Sequence, residues 1–195
     1  TVVYFAENEQ VLGLVALMDV PNEEAMNAIH YFKSQNIETT MITGDAKLTG
    51  EAVGRLVGVD QVFANVLPEE KSAIVDQLKR EVGMTGMVGD GINDAPALVN
   101  ADIGVAMGDG TDIAIDVADV VVMKNDLSKL GYAHRVSKRL NKIVQQNIIF
   151  SMLVVATLII LNFLGIANIA FSVLIHEGST LVVIFNGLRL LVNTK

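Results

Sequence analysis

The sequence contains no cysteine, no tryptophan and only three prolines, and acidic residues almost vanish from its C-terminal third. The absence of cysteine excludes disulfide bonds and thiolate metal sites within this chain. Of the 22 acidic residues, all except Glu177 lie at or before Asp126, and the formal net charge is −8. Because phosphate binding needs clustered lysine and arginine, and the acidic part shows no basic stripe, we expect no nucleic-acid partner.

Two long apolar runs in the C-terminal third predict a transmembrane hairpin. They cover residues 148–166 and 169–191, and each is close to the ~20 residues that a helix needs to cross a bilayer. Basic residues precede the first run and close the second, so the positive-inside rule places both ends of the hairpin in the cytoplasm. These bases are Lys138, Arg139, Lys142, Arg189 and Lys195. The alternative is a pair of buried helices in a soluble protein.

Two ionisable residues, His176 and Glu177, interrupt the second apolar run. At ~1.5 Å per residue, His176 lies about 12 Å from the turn between the runs and about 20 Å from Arg189, which places it near the membrane midplane. Ionisable groups at that depth face a protein interior or a permeation path, and Thr180 shares their helix flank. An imidazole with a carboxylate suits a divalent transition metal. The structural alternative is a His–Glu pair that joins helices.

The preceding acidic part alternates short apolar runs with amphipathic helical stretches. This alternation predicts an α/β fold with a parallel sheet between helices, whose ligands gather at the carboxyl ends of the strands. The sequence has neither a P-loop nor a convincing dinucleotide fingerprint. An EF-hand starting at Asp90 is also excluded, because Ala95 and Ala101 occupy the positions that need glycine and glutamate.

A loop that follows one predicted strand carries two carboxylates and an amide. The strand ends at Val88, and Asp90, Asn93 and Asp94 come directly after it. Carboxylate and amide oxygens are hard ligands of the kind that Mg²⁺ prefers. The sequence therefore predicts a magnesium site at this edge of the sheet.

Two further segments supply groups that can bind phosphate. Thr43 and Gly44 follow the strand that ends at Ile42, and they offer a hydroxyl and backbone N–H groups. Lys71 opens a helix after Pro68 and provides a point charge for a phosphoryl oxygen. A hydroxyl, a cation and a magnesium-binding carboxylate on three successive strand ends are typical of a phosphoryl-transfer site.

Three motifs together resemble those of a known family. They are Thr43-Gly44-Asp45, Pro68 with Lys71, and the decapeptide GDGINDAPAL at residues 89–98. This set resembles the phosphorylation domain of P-type ATPases, a haloacid dehalogenase-like, Rossmann-like fold. The single hairpin that follows resembles the heavy-metal-transporting branch, and HEGST with Asn186 and Arg189 resembles its cobalt, iron and zinc pumps.

The resemblance implies a role for each residue of the phosphate-binding loops. Thr43 and Gly44 are expected to contact the phosphoryl group, Asp45 to organise that loop, and Lys71 to neutralise charge on the transferred phosphate. ATP is the expected phosphoryl donor.

The resemblance also implies two kinds of metal ion. Asp90 is expected to bind Mg²⁺, with Asp94 and Asn93 completing the site. The transported ion is expected to be Fe²⁺, Co²⁺ or Zn²⁺, bound in the membrane by a site that three residues of the second apolar run help to form. These are His176, Glu177 and Thr180.

The chain lacks several parts of such a pump. No Asp-Lys-Thr-Gly-Thr string, actuator motif or nucleotide-binding domain occurs, and the first residue is not methionine. Asp19 resembles the point where the chain re-enters the phosphorylation domain after the nucleotide-binding domain. We therefore expect the C-terminal fragment of a multi-pass plasma-membrane pump, whose partners are lipid and its missing N-terminal portion.

The expected organisation has four parts: a haloacid dehalogenase-like region at 1–130, a connecting helix at 131–147, and membrane helices at 148–166 and 169–191. Two other functions remain open. One is a membrane-anchored phosphatase of the same fold, and the other is a non-catalytic membrane fragment that binds metal.

Overall fold

The computed structural model describes residues 2–7, 10–16, 20–108, 110–123 and 126–191. Asp19 and Lys195, which the sequence predictions used, lie outside the described residues. The chain forms two compact units, Thr1–Gly131 and Tyr132–Lys195.

The first unit begins with an antiparallel hairpin and continues as alternating helices and strands. The hairpin pairs β1 with β2, with a register shift between Phe5 and Ala6. The sequence motifs had not indicated β1, in which the side chains of Val3, Tyr4 and Phe5 are exposed. The elements in order are β1 (Val2–Glu7), β2 (Gln10–Ala16), α1 (Glu23–Ser34), β3 (Thr40–Ile42), α2 (Lys47–Val57), β4 (Gln61–Phe63), α3 (Glu70–Val82), β5 (Gly86–Gly89), a 3₁₀ turn (Ile92–Asp94), α4 (Ala95–Asn100), β6 (Ile103–Met107), α5 (Asp112–Val117) and β7 (Val120–Val122).

The parallel pairing predicted from the alternation is confirmed. β3 pairs with β4, and β5, β6 and β7 pair in that order, all in parallel. The parallel strands form two groups, β3–β4 and β5–β6–β7, because no described strand pairs with both β3 and β5. All carboxyl ends within one group therefore point the same way, and the loops that follow them share one edge.

The core of the larger group is built on β6, whose side chains alternate between its two faces as in any strand. On one face Ala106 packs with Leu98 and Ala114. On the other, Val105 and Met107 lie beside Val122, and Leu127 and Leu130 pack against the cluster that these three form. The sheet is thus covered on both sides, as the apolar runs predicted.

At the N-terminal edge of these sheets, three aspartates join neighbouring strands by one repeated arrangement. Each aspartate directly precedes a strand, and its Oδ2 accepts a backbone N–H at the start of the neighbouring strand at 2.8 or 2.9 Å. Its own N–H donates to the carbonyl of that same residue at 2.9 Å. The pairs are Thr39 with Asp60, Thr85 with Asp102 and Gly104 with Asp119.

In two of these three pairs, a lysine from a helix also forms an ion pair with the aspartate. Lys33 Nζ lies 2.7 Å from Asp60 and donates to the Gly58 carbonyl at 2.9 Å. Lys79 Nζ lies 3.1 Å from Asp102. Helices α1 and α3 are therefore each bonded to the start of a strand.

The second unit consists of most of α6 (Ser128–Phe163) and all of α7 (Ile169–Leu188). Both helices are long and apolar enough to cross a membrane. The turn between them contains Gly165 at φ +67°, and α7 begins where Asn168 Oδ1 accepts the Phe171 N–H at 2.8 Å. The segments expected as a connecting helix and a first span form one continuous helix.

Candidate active site

The loop after β5 fixes the backbone of Asp90 and leaves its side chain accessible. The Asp90 N–H donates to Asp94 Oδ2 at 3.4 Å, and the Asp90 carbonyl accepts from the Thr111 N–H at 2.9 Å. The Asp90 carboxylate is exposed and makes no hydrogen bond or ion pair with any residue that the structure describes. It is therefore held in place by its backbone with both oxygens available.

Two glycines allow this loop to pack so closely. A Cβ at Gly89 would lie 2.6 Å from Asp94 Cβ, and a Cβ at Gly110 would lie 2.6 Å from the Asp90 carbonyl oxygen. Both distances are too short for a side chain at either position. Glycine is therefore required at both positions, Gly89 beside Asp94 and Gly110 beside the Asp90 carbonyl.

Lys71 and Asp94 form a largely buried ion pair beside Asp90. Their side chains are 18% and 11% exposed, and Lys71 Nζ lies 2.6 Å from Asp94 Oδ1. Lys71 stands in the first turn of α3, where the Leu67 N–H donates to Glu70 Oε2 at 2.9 Å and fixes the start of the helix. The loop after β5 and the start of α3 are thereby joined.

The loop after β3 has its own internal bonds. Thr43 Oγ1 donates to Asp45 Oδ2 at 2.9 Å and accepts the Asp45 N–H at 3.1 Å. Backbone bonds connect this loop to the segment after β4, since the Val66 N–H donates to the Thr43 carbonyl at 3.1 Å and the Asn65 N–H to the Asp45 carbonyl at 2.8 Å. Asp45 thus orients the Thr43 hydroxyl, and Gly44 lies exposed between them.

The predicted residues fall into two bonded groups. Lys71, Asp90 and Asp94 form one, and Thr43 and Asp45 form the other; the segment between β4 and α3 connects them. The Asn93 side chain is exposed and has no hydrogen-bond partner among the residues of this structure that are described.

The sequence motifs did not indicate the loop after β6, which contributes Gly110 and Thr111. Thr111 bonds the Asp90 carbonyl, and its hydroxyl accepts the Ala114 N–H at 3.4 Å at the start of α5. A signal was present, because the string MGDGTD at 107–112 is another glycine-rich polar loop directly after a strand.

The donors in this loop fit Mg²⁺. This ion keeps several waters and takes only one or two protein carboxylates, and Asp90 offers one that is accessible. Asp94 is already bonded to Lys71 through Oδ1 and accepts the Asp90 N–H with Oδ2. Within the described ranges no three His, Asp or Glu side chains gather at one point, so water would complete the coordination.

In the second unit, His176 and Glu177 lie side by side on α7. Their side chains are 60% and 73% exposed, and His176 Nδ1 lies 3.8 Å from Glu177 Oε1. The hydroxyls of Ser179 and Thr180 donate to the His176 carbonyl at 2.6 and 3.4 Å. His176 also lines a groove of about 390 Å³ between α6 and α7. The histidine therefore faces the groove between the two helices.

Comparison with known proteins identifies the class to which this fold and site belong. A family model of haloacid dehalogenase-like hydrolases matches residues 1–102. The chain belongs to the haloacid dehalogenase-like hydrolase family, as the motifs around Thr43, Lys71 and Asp90 predicted.

Two relatives that match nearly the whole chain are metal-transporting ATPases. The zinc-transporting ATPase of Bacillus subtilis (strain 168) is 47% identical over 98% of this chain and 30% of its own length. The cadmium, zinc and cobalt-transporting ATPase of the same organism is 41% identical over 98% of this chain and 28% of its own length. A crystal structure of a zinc-transporting PIB-type ATPase in the E2.Pi state has a TM-score of 0.91 and 34% identity over 97% of this chain and 31% of that one.

These matches confirm the predicted resemblance to heavy-metal P-type ATPases. The chain spans less than a third of the length of these relatives.

Proposed function

We propose that this chain belongs to an ATP-driven heavy-metal transporter, to which it contributes phosphoryl-transfer loops and two membrane helices. The observation that carries this proposal is the accessible Asp90 carboxylate on a fixed backbone beside the Lys71–Asp94 ion pair. Phosphoryl transfer depends on positioned charge more than on covalent chemistry. The Asp90 carboxylate, held by its backbone, can bind a metal ion, and the largely buried Lys71 lies beside it. Together they supply positioned charge of both signs.

Each loop has a distinct part in the proposed reaction. Thr43 Oγ1 exchanges its hydrogen bond to Asp45 Oδ2 for one to a phosphoryl oxygen, because a hydroxyl has a single proton to donate. Lys71 places positive charge beside the transferred group. Asp90 holds Mg²⁺, which would neutralise phosphate charge when bound. Asp94 keeps Lys71 and the Asp90 backbone in position through its two oxygens.

The unpaired strand edges support an acceptor aspartate from outside this chain. Among the described strands, β3 pairs only with β4, and β5 pairs only with β6. Thr43 follows β3 and Asp90 follows β5, so a parallel strand between them would end between the two loops. We propose that this strand belongs to the rest of the protein and carries the aspartate that ATP phosphorylates.

The proposed cargo is a divalent transition metal, bound within the membrane by His176 and Glu177. Imidazole and carboxylate suit Fe²⁺, Co²⁺ or Zn²⁺. Of the two Bacillus subtilis relatives, both are zinc-transporting ATPases and one also transports cadmium and cobalt. The Thr180 hydroxyl donates its proton to the His176 carbonyl. The lone pairs of its oxygen therefore remain available to a cation. The proposed direction is efflux, across the plasma membrane, with both hairpin ends cytoplasmic.

The test is ATP hydrolysis by the complete protein in native membranes, with Fe²⁺, Co²⁺ and Zn²⁺ added separately. We expect stimulation by at least one of them and its loss in His176→Ala, because the cargo then lacks a nitrogen ligand. His30→Ala is the matched control, since His30 is an exposed histidine on α1. Normal metal stimulation in His176→Ala would rule out the cargo site.

An immunoblot with an antibody against the first unit separates this function from the two alternatives. A chain several times larger than 20.9 kDa supports a complete pump. A product no larger than this chain would leave no source for the phosphorylated aspartate and would contradict the proposal.

A further inference from the structure

Asn162 places an amide near the end of α6 that adjoins the turn. Its Nδ2 donates to the Leu158 carbonyl and to Ser172 Oγ of α7, both at 3.1 Å. These two bonds use both N–H groups of the amide. The amide oxygen, Oδ1, accepts no hydrogen bond from the part of the chain that the structure describes. One end of this side chain is therefore fixed and the other is available.

Asn162 and His176 are the two polar side chains that line the groove between α6 and α7. The other lining residues are apolar: Val155, Leu158, Ile159 and Phe163. An amide oxygen without a partner is costly in an apolar membrane environment. A ligand that offsets this cost must be positively charged or a hydrogen-bond donor.

The polar residues of α7 that face this region are spaced by four. Ser172, His176 and Thr180 follow one another at that interval, so they share a helix flank and advance about 6 Å per step towards the cytoplasmic end. Ser172 bonds Asn162 at the end near the turn. Polar atoms thus extend from His176 towards the turn, along one side of the groove.

We propose that Asn162 Oδ1 is a further ligand for the transported cation, on the side of His176 nearer the turn. This inference rests on the proposed function. An amide oxygen is a neutral, hard ligand, and no acidic residue lies in α6. A cation leaving His176 therefore meets a ligand that binds it more weakly than a carboxylate would, which favours its release.

The competing explanation is that Asn162 only joins the two helices, as amides do between membrane helices. The two roles require different atoms. A helix contact needs the Nδ2 donor, whereas a cation ligand needs the Oδ1 oxygen. Asn162→Asp keeps an oxygen and removes the donor, and Asn162→Ala removes both.

The experiment is a Co²⁺ titration of the complete purified protein, followed by the visible absorption of bound Co²⁺, with Mg²⁺ in excess to occupy the oxygen site at Asp90. We expect Asn162→Ala to raise the Kd for Co²⁺ about tenfold, the range seen when a supporting group is lost from a metal site. Asn162→Asp should bind Co²⁺ as tightly as the wild type or more tightly. Thr157→Val is the control, since the Thr157 hydroxyl bonds only its own helix, at the Leu153 carbonyl.

Two results would overturn the inference while the proposed function stands: an unchanged Kd in Asn162→Ala, or an Asn162→Asp variant as weak as Asn162→Ala. Absence of Co²⁺ binding by the wild type, together with no metal-stimulated ATP hydrolysis, would instead reject the proposed function itself. Should Asn162→Ala fail to fold, the Asn162→Asp titration alone decides between the two roles.

Discussion

Asp90, at the C-terminal edge of the parallel sheets, is bonded in the opposite way to three aspartates at the N-terminal edge. At the N-terminal edge, Asp60, Asp102 and Asp119 each bond a neighbouring strand with both carboxylate and backbone. At the C-terminal edge, the backbone of Asp90 is bonded on both sides and its carboxylate has no partner among the described residues. The bonding of the side chain, and not the residue type, therefore separates a structural carboxylate from one available for chemistry.

The pKa shifts of two N-terminal aspartates agree with their structural role. The Lys33 ammonium and the Thr39 hydroxyl and N–H lower the pKa of Asp60 from 3.8 to about 2. The Thr85 N–H and then the Lys79 ammonium lower the pKa of Asp102. Each of these carboxylates is stabilised as an anion by groups of the same unit, which leaves little capacity for an external cation.

The largest effect is expected from Asp90→Ala. Removal of the proposed Mg²⁺ ligand should lower metal-stimulated ATP hydrolysis at least about a hundredfold, the typical loss of one electrostatic contact to the reacting group. The melting temperature should stay unchanged, because the side chain bonds no described residue. A calorimetric scan beside the ATPase assay checks both points, and a large drop in Tm would place Asp90 with the structural aspartates.

A smaller loss of activity is expected from Gly89→Ala. The added Cβ would lie 2.6 Å from Asp94 Cβ and 2.9 Å from its Oδ2, so Asp94, which bonds Lys71 and the Asp90 N–H, must shift. A shift of about 1 Å can cost up to a hundredfold in rate, and we expect a drop of about tenfold or more in ATP hydrolysis.

Gly86→Ala is the matched control for that variant, on the same strand. Its Cβ would meet only the Ile103 carbonyl oxygen, at 3.7 Å. Equal activity in the two variants would show that the close approach of Gly89 to Asp94 has no part in the reaction.

Asp60→Ala should affect stability and leave the reaction intact. The change leaves the N–H of the buried residue Thr39 without its acceptor, and Lys33 keeps its bond to the Gly58 carbonyl but loses its ion pair. An unsatisfied buried donor costs about 1–3 kcal/mol, and we expect the lower part of that range because Asp60 is about one-third exposed. Thermal unfolding of the complete protein measures the change, and a tenfold loss of ATP hydrolysis per folded molecule would contradict it.

The pH dependence of this effect has a defined sign. The folded pKa of Asp60 is lower than its usual value, so its stabilisation is present above about 3.8 and is lost as the pH falls towards 2. The difference in Tm between wild type and Asp60→Ala should therefore shrink across that interval. A difference that grows on acidification would reject the assignment.

Much of this organisation could be predicted from sequence, because the signals are local. Short apolar runs placed β3 to β7, and the rule that ligands gather at the carboxyl ends of parallel strands selected Thr43, Lys71 and Asp90. The two apolar helices followed from length and composition alone.

The features that could not be predicted depend on pairs far apart in the chain. The N-terminal aspartates bond residues 15 to 21 positions away, and no motif in one loop reveals its partner on another strand. The salt bridge from Asp94 to Lys71 spans 23 positions. The loop sequence, which predicted Asp94 as a magnesium ligand, did not reveal this contact, on which the proposed positioning role of Asp94 rests.

The division between the two edges is tested most directly by the phosphoenzyme formed from radiolabelled ATP during a Mg²⁺ titration of the complete protein. Asp90→Ala and Asp102→Ala are compared, since Asp90 follows β5 and Asp102 bonds Thr85 directly before it. We predict that Asp90→Ala forms no phosphoenzyme at the Mg²⁺ concentrations that suffice for the wild type, and that folded Asp102→Ala forms the normal amount. Normal phosphorylation of Asp90→Ala, or its loss in folded Asp102→Ala, would contradict this account.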